Sequence, residues 1–368
     1  MKSSNLKFNK RIKPELKEQI EKNYQILLRH RKLEREQSVK EIEKGLDDLK
    51  TLSKQVLGKN ELKLYRELYS KHKIACENER IKFIGKKTDT SRIVSKYKSA
   101  FRDELVKKIP GLKKLIQVRS RLFSGFRNGH NSQSSSSSGI SRGVLANTFK
   151  ILENTVFIDP TAVNNTPPYP IIENYIDIIY DQFNSLDHDS LADADSGLII
   201  HNISSYHEDN AWFTHKAAKY EAFAGFGVTY TMPKTGTVSV DVFIQNLYNK
   251  NLVSITDNSG LSEGWANLEN KLYMNILHPN NIAPFEIELN KIDLHSDGDD
   301  IIRTDINKID TKFPKWINFR STGSFVEGTI LQIMIGNKET MYNILDDMQC
   351  TTETLYSWFV RNIIVRTV

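Results

Sequence analysis

The sequence predicts an α+β multidomain chain: an N-terminal helical bundle or coiled coil followed by an antiparallel β-sandwich, jelly-roll-like in form. Three observations carry this reading. Before residue 126 apolar residues recur at intervals of three and four, whereas from about residue 198 they recur at every second position. Between these regimes, Gly125 to Gly143 (GFRNGHNSQSSSSSGISRG) is a Ser- and Gly-rich stretch that cannot bury a core and reads as a flexible tether. The expected division is a basic helical domain over 1–126, a linker over 127–143 and an acidic sandwich over 144–368, with the two modules physically separate.

Charge follows the same division. Residues 1–130 hold 35 Lys and Arg against 16 Asp and Glu, a net of 35 − 16 = +19, and residues 131–368 hold 16 against 29, a net of −13. The overall +6 therefore hides two opposed halves, which bears on partners more than on fold. With 368 residues and 39% hydrophobic residues the chain has enough material for a sizeable core. Cys76 and Cys350 are too few and too distant for a disulfide framework, and no apolar run reaches the length of a spanning helix. The expectation is a cytoplasmic protein, or one released without a classical signal peptide.

Pro14 followed by Glu15 suits a first helical turn, after which Leu16, Ile20, Tyr24 and Leu27, then Val39, Ile42, Leu46, Leu49 and Val56, form one stripe. Gly58 is a natural stop. The middle of this helix, Arg29 to Ser38, holds one apolar residue, Leu33, and is expected to be solvated or to project beyond the bundle. Asn60 is placed to cap a second helix bearing Leu64, Leu68, Ala75 and Cys76 on one side. Thr90 or Ser91 is placed to cap a third, bearing Ile93, Val94, Tyr97, Phe101, Leu105 and Ile109.

In the second half Val238, Val240 and Val242 alternate with Thr237, Ser239 and Asp241, and Leu272, Met274 and Ile276 alternate with Lys271, Tyr273 and Asn275. Further β-rich runs are Leu198 to Ile203, Phe223 to Met232, Phe285 to Leu294, Thr329 to Ile335 and Trp358 to Val365. Seven or more strands without intervening amphipathic helices point to a sandwich. Ile171 to Phe183 is read as helix, because Ile172, Tyr175, Ile176 and Ile179 share a helical face. Gly225-Phe226-Gly227 sits in a strand-like run and marks a bulge or a close approach of two backbones.

Past the Pro110-Gly111 break, the segment to Phe126 has an apolar face of Leu112, Leu115, Ile116, Leu122, Phe123 and Phe126. It is flanked by Lys107, Lys108, Lys113, Lys114, Arg119 and Arg121. Such a helix either closes the bundle with its charges solvated, or engages anionic lipid, nucleic acid or an acidic protein. His188, His201, His207 and His215 lie near Asp187, Asp189, Asp193 and Asp195, but their spacing matches no metal motif, so a polar surface loop is expected and no metal or cofactor. No nucleophile elbow, P-loop or dinucleotide fingerprint is present. The function expected is therefore that of a non-enzymatic interaction or structural protein, a basic helical platform joined to a sandwich that does the recognising. Its partner is expected to be protein or a second copy. A membrane-acting toxin or effector and a capsid-like nucleic-acid-associated protein are the alternatives, with a small-molecule substrate disfavoured.

Overall fold

The protein's structure, a computed structural model, describes residues 6–8, 12–83, 100–119, 121, 148–152, 161–210, 214–258, 262–278, 281–306, 315–321 and 323–368. A short strand, β1 (Lys7–Phe8), precedes a 43-residue helix, α1 (Pro14–Val56), and Gly58 separates it from α2 (Lys59–Phe83). Two shorter helical stretches follow, α3 (residues 100–108) and α4 (residues 110–119). Pro110 opens α4, where its missing N–H has no intrahelical partner to lose. The stops fall where Gly58 and Pro110-Gly111 put them.

Thirteen further strands are described: β2 (Thr148–Leu152), β3 (Val163–Asn165), β4 (Ile171–Tyr180), β5 (Ser185–Asp193), β6 (Leu198–Glu208), β7 (Lys216–Thr231), β8 (Val238–Asp257), β9 (Glu263–His278), β10 (Asn281–Asp297), β11 (Ile301–Ile306), β12 (Lys315–Arg320), β13 (Ile330–Asp346) and β14 (Met348–Thr367). They form two antiparallel sheets. One runs β1-β4-β7-β13-β9-β10, and the other β2-β12-β8-β14-β6-β5, with β11 beside β8 and β3 beside β14. Consecutive strands from β6 to β9 alternate between the sheets, so the faces meet as a sandwich. The alternation read from Val238 to Val242 and from Leu272 to Ile276 holds, since these residues face the core between the sheets.

Ile171 to Tyr180 is a strand and not the helix expected for Ile171 to Phe183. It pairs with β7 from Ile171↔Gly227 onward. The helical spacing of its isoleucines was incidental, and their β-branched side chains suit a pleated surface. Gly227 and Gly225 mark close packing: a Cβ on Gly225 would come within 2.7 Å of the Gly336 Cα on β13 and of the Phe223 ring.

Among the described residues no coiled coil or bundle built on the long helix is shown; most of its apolar stripe packs on a sheet. Ile20, Tyr24 and Leu27 pack with Ile171, Leu277 and Met334, while Ile42, Leu46 and Leu49 pack with Ala217, Trp265, Tyr342 and Ile344. α1 thus lies across the outer face of the six-stranded sheet, and β9 and β13 are buried on both faces. The end of α1 joins α2, α3 and α4 in a smaller apolar cluster of Leu57, Tyr65, Phe101, Leu105, Ile109, Leu112 and Leu115. On α2 the inward residues are Tyr65 and His72, with Leu68 partly buried, whereas Leu64, which was expected inside, is exposed, as is Ala75. Among the described residues, helices and sandwich share apolar clusters and so are not the separate modules expected. The tether over 127–143 and the expected start of the third helix at Thr90 or Ser91 lie outside the described residues.

Candidate functional site

The basic segment is divided by burial. Leu112 and Leu115 are fully buried, Ile116 is partly buried against the same cluster, and Lys107, Lys108, Lys113, Lys114 and Arg121 are exposed. Lys108 is paired with Glu104 at 2.5 Å. Arg119 does not belong to that face. It turns inward, 1% exposed, placing Nε 2.8 Å from Glu263 Oε2 and Nη1 2.7 Å from Asp346 Oδ2. Leu122, Phe123 and Phe126 lie outside the described residues.

Arg119 belongs to a charged junction at one end of the sandwich, where chain segments cross between the sheets. Asp346 and Asp347 form the turn from β13 to β14, and Asp347 has φ +54°. His215, at the entry to β7, has φ +47°. These are the two non-glycine residues in the left-handed region among those described, where a side chain is strained. Tyr69 of α2 donates to Asp347 Oδ2 at 2.5 Å, His295 Nε2 lies 2.8 Å from Glu263 Oε1, and Arg102 of α3 meets Asp297 at 3.2 Å. Burial alone lowers the pKa of the Arg119 guanidinium, but Asp346 and Glu263 outweigh it and hold the group above its ordinary value. Burial takes His215 down to about 3, with Arg119 adding to the effect, so it is neutral.

A second charged region lies under the middle of α1, the segment expected to project into solvent. Arg31 contacts Glu173 Oε1 at 2.5 Å, which also accepts the Tyr24 hydroxyl at 2.8 Å, and Arg35 meets Asp177 at 3.0 Å. Beside them a ladder crosses the sheet: Lys338 bridges Glu221 (3.1 Å) and Glu286 (3.3 Å), Lys271 bridges Glu286 and Glu269 (both 3.1 Å), and Lys291 meets Glu269 at 2.5 Å. Burial acts to raise Glu221 and Glu269, yet Lys338 and Arg31 draw the first down to about 2, and Lys271 and Lys291 do the same for the second. Through Arg31 and Arg35 the basic half is paired with the acidic half here.

The outer face of the eight-stranded sheet is different. Ile317 and Phe319, Val242 and Ile244, and Trp358 and Val360 point into the core, so Trp316, Phe243 and Phe359 point out. Trp316 and Phe243 are cross-strand partners with ring centroids 5.2 Å apart. Arg361 lies 4.2 Å over the Phe359 ring and donates to Gln245 Oε1 at 3.3 Å. The result is a row of partly buried aromatic rings interleaved with planar amide and guanidinium groups.

The histidines expected on a surface loop sit on or beside strands. His188 is exposed on β5, but His201 and His207 point into the sandwich, with Nδ1 3.1 Å from Ser190 Oγ and 2.5 Å from Asn343 Oδ1 respectively. Burial pushes both down to about 4. Of the tryptophans, Trp265 is buried under α1 and Trp358 in the core, and Trp212 lies outside the described residues. Sequence reasoning missed the charged junction and the aromatic row. The row carried one readable signal, the alternation of Trp316, Asn318 and Arg320 with Ile317 and Phe319.

No protein-family model matches this chain, and no curated protein matches it. Among solved structures it is similar to two carbohydrate-binding modules. One is TmCBM61 in complex with β-1,4-galactotriose (6% identity, TM-score 0.12, covering 46% of this chain and 89% of that one). The other is a CBM4 structure (12%, TM-score 0.11, 46% and 88%). Among the described residues no helix is long and apolar enough to cross a membrane.

Proposed function

We propose that the chain is a non-enzymatic interaction protein, a jelly-roll sandwich closed on one face by its own helices and recognising a saccharide with the other. The strand order supports the jelly-roll form, since β6-β14-β8-β12 opposite β7-β13-β9-β10 is the interleaving of two Greek keys. Supporting the non-enzymatic reading, Glu263 and Asp346 are held by Arg119, and His201, His207 and His215 are buried in the fold.

The observation that carries recognition is the outward row of Trp316, Phe243 and Phe359 with Gln245 and Arg361. Aromatic faces stack on the C–H faces of sugar rings, and planar amide and guanidinium groups bond hydroxyls with fixed direction. Titration calorimetry against a panel of neutral oligosaccharides tests this. Trp316→Ala is expected to weaken binding by roughly tenfold or more, the scale of one buried aromatic contact. A parent protein that binds no member of the panel overturns the proposal.

A second reading concerns the helices. Lys107, Lys113 and Lys114 are exposed while Leu112 and Leu115 are committed to the helical cluster, which favours an acidic protein surface over a lipid bilayer as the partner of this face. Reversal of all three to Glu is expected to abolish any salt-sensitive association. An association unchanged by the reversal removes the reading.

A further inference from the structure

β11 forms an edge of the eight-stranded sheet. It pairs with the second half of β8, from Ile301↔Ile255 to Ile306↔Lys250, and among the described residues no strand lies on its other side. The other long edges are blunted in the ways that keep folded sheets from joining one another. β5 presents Asp187, His188 and Asp189, all exposed, and β10 carries Pro284 and a break in register between Glu288 and Asn290. β11 has no proline, no lysine and no bulge.

The two faces of β11 follow from what its side chains meet. Ile301 packs against the apolar cluster of Ile203, Val253 and Ile292 between the sheets, and Asp305 is buried. Ile302, Thr304 and Ile306 therefore point outward, with Ile302 66% and Ile306 53% exposed. Arg303 shares the inner side with Asp305 and meets its carboxylate at 3.2 Å. The run Ile302-Arg303-Thr304-Asp305-Ile306 is thus self-complementary about Thr304. An isoleucine stands two places to either side, a cation one place before and an anion one place after.

We propose that β11 pairs antiparallel with β11 of a second copy of this chain, about a twofold axis at Thr304. This register sets Ile302 of each copy opposite Ile306 of the other on the outer face, and Arg303 of each opposite Asp305 of the other on the inner face. Apolar and opposite-charge pairs directly across strands stabilise a sheet, whereas like charges there oppose it. An axis at Arg303 would set arginine against arginine, and one at Asp305 would set carboxylate against carboxylate. Charge complementarity therefore selects one register. Because the strand's own sequence supplies both kinds of match, it favours a second copy over an unrelated strand. Six residues bury less than a permanent dimer needs, so the association is weak and concentration-dependent. It does not rest on what the aromatic row binds.

Sedimentation velocity on the full chain, from micromolar to near-millimolar concentration, tests this. The parent is expected to show a reversible monomer–dimer equilibrium. Ile302→Lys and Ile306→Glu, both at exposed positions, are each expected to weaken it by about tenfold, since one substitution spoils two pairs in a symmetric dimer. Combining them in one chain is expected to recover it, because each new cation then faces a new anion on the other copy. A parent that stays monomeric overturns the proposal, and so does a dimer indifferent to both single substitutions or one that the combination fails to restore. Thr304→Cys gives a second readout. Directly opposed Cα atoms in antiparallel strands lie about 4.5–5.5 Å apart, within reach of a disulfide, so mild oxidation is expected to cross-link this variant well beyond the parent. Cross-linking no greater than the parent's overturns the assignment.

Discussion

Arg119 shows how one side chain ties two regions together. Its guanidinium is fully buried between Glu263 and Asp346, and removing it leaves two carboxylates without their cation. Breaking a buried pair from one side costs about 3–5 kcal/mol, so Arg119→Met is expected to lose stability of that order in urea unfolding. Exposed Lys113→Met, on the same helix, is expected to change stability by less than about 0.5 kcal/mol. The sequence placed Arg119 with the lysines because helical spacing alone does not reveal which charge faces an acidic turn 227 residues away.

Titration is also a residue-scale property. His201 and His207 are held to about 4 and His215 to about 3, against an ordinary 6.5. Between those values the unfolded chain binds protons that the folded chain refuses, so stability rises with pH from about 4 to 6.5. Glu221 and Glu269, at about 2, add stability above their unfolded value of 4.5 that is lost as pH falls toward 2. Glu339 opposes them. Burial pushes it up to about 7 from 4.5, so it keeps a proton that the unfolded chain has released, and stability falls by about 3 kcal/mol as pH rises through that window. The difference in unfolding free energy between Glu339→Gln and the parent should therefore move in favour of the variant between pH 5 and pH 8. A difference that stays constant over that range would show that Glu339 does not titrate there.

At the scale of elements, α1 is the instructive case. Its two apolar stretches and the polar gap at Arg29 to Ser38 were visible in the sequence, and so was its end at Gly58. What covers the stripe was not visible, because an amphipathic helix reads the same whether it meets other helices or a sheet. The gap is occupied by Arg31 and Arg35 reaching Glu173 and Asp177. The strand misread as a helix, β4, failed for a related reason: it lies under α1 on one face and on the sandwich core on the other, so its apolar residues lost strict alternation. Leu46→Ala is expected to cost about 2–5 kcal/mol. Hydrogen exchange should quicken along the second half of α1 more than along β13, and uniform quickening would show that α1 does not open on its own.

For the whole molecule, the two-part charge and the sandwich were readable, whereas the docking of helices on sheet was not. Docking rests on pairings between residues hundreds of positions apart, such as Tyr69 with Asp347, which local periodicity does not encode. Because the parts share buried clusters, helical circular dichroism and Trp fluorescence are expected to report one coincident urea transition. Two well-separated transitions would indicate independent folding of helices and sandwich.

The cover that α1 provides for the sheet also has a consequence for biosynthesis. Its partners include Tyr342 and Ile344, close to 300 residues after Leu49 in the order of synthesis. At about 5–20 residues per second, a ribosome needs roughly 15–60 s to deliver them. Throughout that interval the nascent chain carries a finished helix with its oily side bare, and a holdase or the ribosome surface is the natural shelter for it.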